Sequence, residues 1–318
     1  MKQLKPTKAC DVQDTATLKY PLLSSIKYDG CYALNIEGKL LGRSLKPFKN
    51  KFITQELSKP LYEGFCGELC EVDTDTSLAR QDLCRNTTSR VNTIEKEWNY
   101  KWMLFDYSHP DVIHLGYADR MNALKQKVYD LKLDNIEIVE LISVYGSEQA
   151  DELYQEYLDN GYEGLILRSP DGKWKDGRST LREQLFLRMK PQSDAEAVVI
   201  GVQEALTNNN KAKTNELGYT ERSSHRENKI GNGMLGAFLC IDLMSGMEIT
   251  VGAGKLTHKE RKNYFDNPPL HQLIKYRSMN TGVKDLPRFP RFYSFRAIED
   301  MDEILVVKYN KLMEGWSG

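Results

Sequence analysis

One lysine, set in the gap between two strand signals, constrains this chain more tightly than any other feature. Lys27 lies in Ser25-Ile26-Lys27-Tyr28-Asp29-Gly30. The apolar run Tyr20-Pro21-Leu22-Leu23 before it reads as a strand. After it, Tyr32-Ala33-Leu34-Asn35-Ile36 alternates, then turns at Glu37-Gly38 into Lys39-Leu40-Leu41. Lys27 therefore occupies a strand–loop–strand junction, with Gly30 letting the backbone bend or approach a ligand closely. A lysine so placed is a nucleophile where neighbouring cations or desolvation lower its pKa from the reference value of about 10.4. Taken alone, the tetrapeptide reads better as a surface lysine beside a turn aspartate.

Five more segments change that reading. They are Arg43-Ser44, Phe65-Cys66-Gly67-Glu68-Leu69, Phe105-Asp106-Tyr107, Glu163-Gly164-Leu165-Ile166-Leu167-Arg168 and Arg188-Met189-Lys190. Together with Lys27-Tyr28-Asp29-Gly30, and in this order and spacing, they resemble the ATP-dependent DNA ligases, in particular small viral and phage members. These belong to the covalent nucleotidyltransferase superfamily, whose lysine nucleophile lies in Lys-x-Asp-Gly. The likeness runs from about Lys8 to Asp302.

Fold class and boundaries follow from pattern and resemblance together. The expectation is an α+β chain. A nucleotidyltransferase (ATP-grasp-like) domain of antiparallel sheets with flanking helices spans residues 1–191. An OB-fold β-barrel spans 192–302, with a latch-like insertion at 206–233, and a short tail covers 303–318. Strands are expected at Phe65–Val72, Trp102–Tyr107 and Leu185–Lys190. Met121, Leu124, Val128 and Leu131 recur at helical spacing. Ala150, Leu153, Tyr157 and Leu158 do so between a Ser147 cap and Gly161. Arg85-Asn86-Thr87-Thr88-Ser89-Arg90 reads either as a capped turn or as a contact to a phosphate backbone. Residues 1–20 carry little pattern. Past Pro191-Gln192-Ser193, short strands with one helix near Thr257–Phe265 suit an OB barrel. Polar and basic, residues 206–233 have the composition of a disordered linker, yet Leu217 to Arg226 looks like the DNA-clamping hairpin of the viral ligases.

Composition matters here for what it excludes. A net charge of −1 over 318 residues leaves no bulk basicity, so any nucleic-acid surface must come from local segregation of charge. No apolar run reaches membrane-spanning length and Met1–Pro6 lacks a signal-peptide core, which gives a cytoplasmic or nucleoid-associated, unsecreted protein of a bacterial or phage-infected cell. The six cysteines show no paired framework and complete no zinc site, and free thiols in a reducing compartment are expected.

The resemblance implies a role for each matching residue. Lys27 attacks ATP; Arg43 meets the nucleotide and the nick phosphate; Glu68 lies near the ribose hydroxyls; Phe105 stacks on adenine. Glu163 suits Mg2+ (with Mn2+ as a substitute), a hard cation content with few carboxylates and phosphate oxygens. Arg188 and Lys190, on one face of their strand, hold the α-phosphate and depress the pKa of Lys27. Asp29 serves the metal or the incoming 3′-hydroxyl, and Arg296 orients the pyrophosphate. Lys46, Lys175, Arg178, Lys211, Lys213, Arg222, Arg226 and Lys229 are the expected contacts to a nicked duplex, met by a monomer. One position departs from the family: Tyr32 stands where an arginine is common, with Lys46 or Lys49 as the substitute cation. The alternatives within the superfamily are an RNA ligase and an mRNA-capping guanylyltransferase that uses GTP. Outside it stands a non-catalytic OB-fold binder carrying a decayed transferase domain.

Overall fold

The hairpin that follows Lys27 sets the frame of the computed structural model. Glu37 and Gly38 both take positive φ, 52° and 71°, as a tight turn between right-twisted strands requires. The structure describes residues 4–74, 76–80, 82–131, 133–191, 193–279 and 286–315; Gln192 of the expected boundary and residues 316–318 of the expected tail lie outside them. The chain divides into two units, Met1–Lys190 with Glu216–Gly218, and Pro191–Asn215 with Tyr219–Gly318.

The first unit begins with short strands β1 (Thr7–Lys8) and β2 (Cys10–Asp11), where the sequence gives little pattern. There follow β3 (Leu22–Lys27), β4 (Cys31–Ile36), β5 (Lys39–Gly42), helix α1 (Lys51–Leu57) and β6 (Phe65–Glu71). The polar stretch 85–90 is neither turn nor loop but the body of α2 (Leu83–Asn92), which buries Leu83, Thr87 and Val91, four residues apart. Next come β7 (Tyr100–Tyr107), α3 (Tyr117–Leu131), β8 (Ile136–Ile138), β9 (Ile142–Val144) and α4 (Ser147–Asp159). Ser147 does not cap α4: Gly146 holds the cap position, and Gln149 reaches back to accept the Tyr145 N–H at 3.0 Å. Strands β10 (Gly164–Arg168), β11 (Gly177–Arg178) and β12 (Leu187–Met189) complete the unit.

Two five-stranded sheets result, ordered β5-β4-β6-β7-β8 and β2-β12-β10-β3-β9. Most pairs are antiparallel, as expected, but β7–β8 and β2–β12 run parallel at the edges. Phe65, Leu69, Trp102 and Leu104 lead the core of the first sheet, and Leu22, Val144, Leu165, Leu167 and Leu187 that of the second. An ion cluster ties the two sheets together. Asp106 of β7 accepts from Arg120 Nε of α3 at 2.8 Å and from Arg168 of β10 at 2.6 Å, and all three side chains are 0–2% exposed. Burial raises the Asp106 pKa, but the two guanidiniums outweigh it and hold the carboxyl below its ordinary range.

In the second unit, β13 (Ser193–Asn208) and β16 (Lys229–Asp242) are long rather than short. With β17 (Glu248–Gly252), β18 (Leu273–Met279) and β19 (Arg288–Phe295) they close a barrel around Val199, Phe238, Val251 and Ile274. Between β13 and β16 the insertion is an ordered hairpin, β14 (Ala212–Thr214) against β15 (Thr220–Arg222), not a disordered linker. Because β13 and β16 stay paired as far as Asn208 and Lys229, the insertion is shorter than 206–233. Helix α5 (His258–Asp266) carries a full capping box from Thr257 and Glu260. Residues 303–318, to which the sequence assigns nothing, include α6 (Glu303–Glu314), whose Leu305, Tyr309 and Leu312 pack with Val198, Leu243 and Leu273. Among the described residues, no helix is long and apolar enough to cross a membrane.

Removing the acid from the ion cluster strands two buried cations. Asp106→Ala is expected to cost about 3–5 kcal/mol of unfolding free energy, read by denaturant titration of the fluorescence of Trp102 and its neighbours.

Candidate functional site

Backbone pairing fixes the position of Lys27. It is the last residue of β3 and lies opposite Gly164 in the antiparallel β3–β10 ladder, so Glu163 arrives beside it. The two side chains form a close ion pair and are 18% and 19% exposed. Their chain neighbours lock the same junction: Tyr28 meets Tyr162 edge to face at 5.8 Å, and Tyr162 meets Tyr157 at 6.2 Å. Gly30 is explained by the fold rather than by a ligand, since a Cβ there would collide with the Leu69 carbonyl of β6.

Lys27 opens onto a cleft in the first unit. Ser25, Ile26 and Ile166 come from the β3–β10 ladder, and Thr7, Lys8 and Ala9 from the N-terminal segment. Phe105 and Phe186 stand 6.0 Å apart, and Tyr32 is 6.0 Å from Phe105, so one wall is aromatic. Arg168 supports that wall. Its guanidinium lies 3.9 Å from the Tyr117 ring centre and 4.6 Å from that of Phe186, and it donates to the Phe105 carbonyl at 3.3 Å. A flat, π-rich base fits such a wall.

The cleft also carries charge. Arg43 lies 5.3 Å from the Tyr32 ring centre. Burial pushes the Glu68 carboxyl up to about 7, although Arg43 and Lys27 pull it down. Burial also raises Glu163, against the pull of Lys27 and with a further push from Asp29. Lys190 is lowered, first by burial and then by Arg188. Arg188 is gripped by Asp11, whose carboxylate accepts from Nε at 2.5 Å and from a terminal nitrogen at 3.3 Å. Nothing in the sequence points to Asp11: the two residues meet because β2 pairs with β12 in the register Asp11↔Arg188.

Lys27, Arg43, Glu68, Phe105 and Arg188 thus line one cleft, with Glu163 and Lys190 tied to it electrostatically. Asp29 is close enough to raise both Glu68 and Glu163. Sequence reasoning missed Tyr117, Arg168 and Phe186, although Arg168 and Phe186 lie in or beside its motifs. Tyr32, at the place of the family's common arginine, brings no charge to the cleft it lines. It is buried, and the Cys66 thiol donates to its hydroxyl at 3.1 Å. Neither Lys46 nor Lys49 lines the cleft in its place. Lys175 is paired with both oxygens of Glu183 at 2.6 Å, and Arg178 donates to the Ala9 carbonyl at 2.8 Å. Lys211, Lys213, Arg222 and Arg226 are exposed on or beside the second unit's hairpin, and Lys229 begins β16. Arg296 belongs to the second unit, 3.5 Å from Glu196 and 3.2 Å from the Asp300 carbonyl.

Among the described residues, no group of three His, Cys, Asp or Glu could hold a metal ion. The donors near Lys27 are instead a few carboxylates, with Glu163 strained by burial. That set suits a hard divalent cation bringing its own waters and phosphate oxygens, with Glu163 and Asp29 as protein ligands.

Residues 10–190 match the family model of the ATP dependent DNA ligase domain, and residues 229–296 that of the DNA ligase OB-like domain. The DNA ligase of Enterobacteria phage T4 is 30% identical over 105 residues, 33% of this chain and 20% of that protein. The DNA ligase of Enterobacteria phage T3 is 34% identical over 77 residues, 23% of this chain and 21% of that protein. The chain therefore spans about a fifth of these curated relatives. A crystal structure of Chlorella virus DNA ligase-adenylate is 25% identical, covers 94% of this chain and 99% of that one, and superposes with a TM-score of 0.52. A structure from work on Lig E DNA ligases, 19% identical over 92% of this chain and 99% of that one, shares the fold at a TM-score of 0.64.

The raised carboxyl at Glu68 has a consequence for stability. Folded, it keeps its proton up to about 7, against an ordinary 4.5. Its contribution therefore favours folding at low pH and is lost as pH rises through that window. Glu68→Gln, which has no charge to bury, should gain in melting temperature relative to the parent between pH 5 and pH 8, the gap levelling off above about 7. Calorimetry across that range would instead show a gap that does not change with pH if Glu68 were an ordinary solvated acid.

Proposed function

The chain belongs to the ATP-dependent DNA ligase family, and from that premise we propose that it seals nicks in duplex DNA through a lysyl-AMP formed on Lys27. The observation that carries the reading is the register that sets Lys27 against Glu163 beside a cleft lined by aromatic and charged side chains. ATP is the AMP donor: its adenine stacks on Phe105, Glu68 accepts from the ribose hydroxyls, and Arg43, Arg188 and Lys190 face the phosphates.

In the first step the Lys27 Nζ lone pair forms the bond to the α-phosphorus. The bond from that phosphorus to the bridging oxygen breaks, and pyrophosphate leaves with the electron pair, oriented by Arg296. Lys27 must first release the proton it shares with Glu163. Burial favours the protonated form of that carboxyl, which makes it the nearest acceptor. The AMP then passes to the 5′-phosphate of the nick, and the 3′-hydroxyl displaces it. Positioning and neutralisation of phosphate charge supply most of the help in such transfers. When bound by Glu163 and Asp29, Mg2+ would add a charge clamp on the phosphate oxygens.

Duplex contacts are read onto Lys46, Lys175 and Arg178, and onto the hairpin with Lys211, Lys213, Arg222, Arg226 and Lys229, acting as a latch. Exposed cations on a tip beyond a barrel support this, since net charge supplies no attraction. Within this proposal the chain acts as a monomer. The phage relatives support work in the cytoplasm of a bacterial or infected cell.

Incubation with radiolabelled ATP should place AMP on the protein, GTP should not, and nicked DNA should be sealed in preference to nicked RNA. Lys27→Ala is expected to abolish labelling while leaving the circular dichroism spectrum and melting temperature unchanged; labelling that survives would remove Lys27 from its role. Deleting residues 210–230, which takes the hairpin together with Lys229 and Ile230 at the outer end of β16, should weaken binding to nicked duplex by tenfold or more while self-adenylylation stays within about twofold of the parent. Equal loss of both would undo the latch reading.

A further inference from the structure

The N-terminal segment contributes an acid that pairs with one of the cleft's arginines. Strand β1 runs beside β11, with Lys8 opposite Arg178, and β2 runs beside β12, with Asp11 opposite Arg188. Asp11 is the residue of this segment that grips a cation of the cleft. Its two oxygens take Nε and one terminal nitrogen of Arg188, a side-on, two-point contact. A guanidinium has five N–H donors in a fixed plane. Holding one edge in a carboxylate fork fixes that plane and leaves the other terminal nitrogen, with both its hydrogens, for a second acceptor. Since Arg188 lines the cleft, that acceptor is an anion lying within it.

We infer that Asp11 is a positioning residue that orients the Arg188 guanidinium toward the α-phosphate of the bound nucleotide. The inference rests on the proposal that this cleft takes ATP for transfer to Lys27. It gives residues 7–11 a role beyond strand pairing: freed of Asp11, Arg188 would sample several rotamers, and only some of them meet the phosphate.

The test is a double-mutant cycle read as lysyl-AMP formation at varied ATP concentration. Asp11→Ala should lower the second-order rate for ATP by about tenfold, the loss of one charge-assisted contact. Asp11→Glu, which keeps the fork, should recover most of it. Arg188→Ala should cost more, and Asp11→Ala added to it should cost almost nothing further, since there is no fork left to orient. Melting temperatures within a few degrees of the parent would separate this from misfolding; if Asp11→Ala fails to fold, Asp11→Asn replaces it in the cycle. Additive losses, an unaffected Asp11→Ala, or a variant that binds ATP more tightly because the carboxylate competes with phosphate would each overturn the inference. An Arg188→Ala protein as active as the parent would instead sink the reading of the cleft itself.

Discussion

The register between β3 and β10 is the constraint on which the site depends. Because Lys27 stands opposite Gly164, the acid that precedes Gly164 must stand beside the amine. A slip of one residue would turn every side chain of the strand to the other face and separate the pair. Gly164 itself takes φ 151° and passes so near the Met189 carbonyl that any side chain there would collide. The strand that follows Glu163 thus packs against those of Lys27 and Arg188 at a place where only a residue with no side chain fits.

Behind this frame lies the buried cluster of Asp106, Arg120 and Arg168. Its three charges are costly to desolvate, and each is met by a partner of opposite sign. Arg168 carries that placement into the cleft, because the same guanidinium that meets Asp106 also supports Phe186 and holds the Phe105 carbonyl. The aromatic wall is therefore positioned from below by charge.

Local signals were legible and distant partners were not. The hairpin after Lys27, strand β7 and helix α3 all follow from alternation or helical spacing within a few residues. Helix α2 was obscured by its Asn, Thr and Ser content, yet Leu83, Thr87 and Val91 carried the spacing that could have revealed it. Helix α6 left a similar trace in Leu305, Tyr309 and Leu312. Asp11 could not have been found this way: 177 positions separate it from Arg188, and parallel pairing between two short edge strands leaves no periodic mark. The charge balance around Lys27 was also incomplete. The sequence named Glu163 and Glu68 beside the cations, but only the folded chain shows that burial raises both carboxyls.

The two long barrel strands bear on how such a protein can change. β13 and β16 stay hydrogen-bonded from inside the barrel out to Asn208 and Lys229, with register shifts between Val199 and Gly201 and again between Gln203 and Leu206. Those irregularities absorb twist locally. What lies beyond Asn208 can be lengthened, shortened or given a different charge without altering one rung of the barrel ladder. The length of the insertion and the register of the barrel are thereby separable traits.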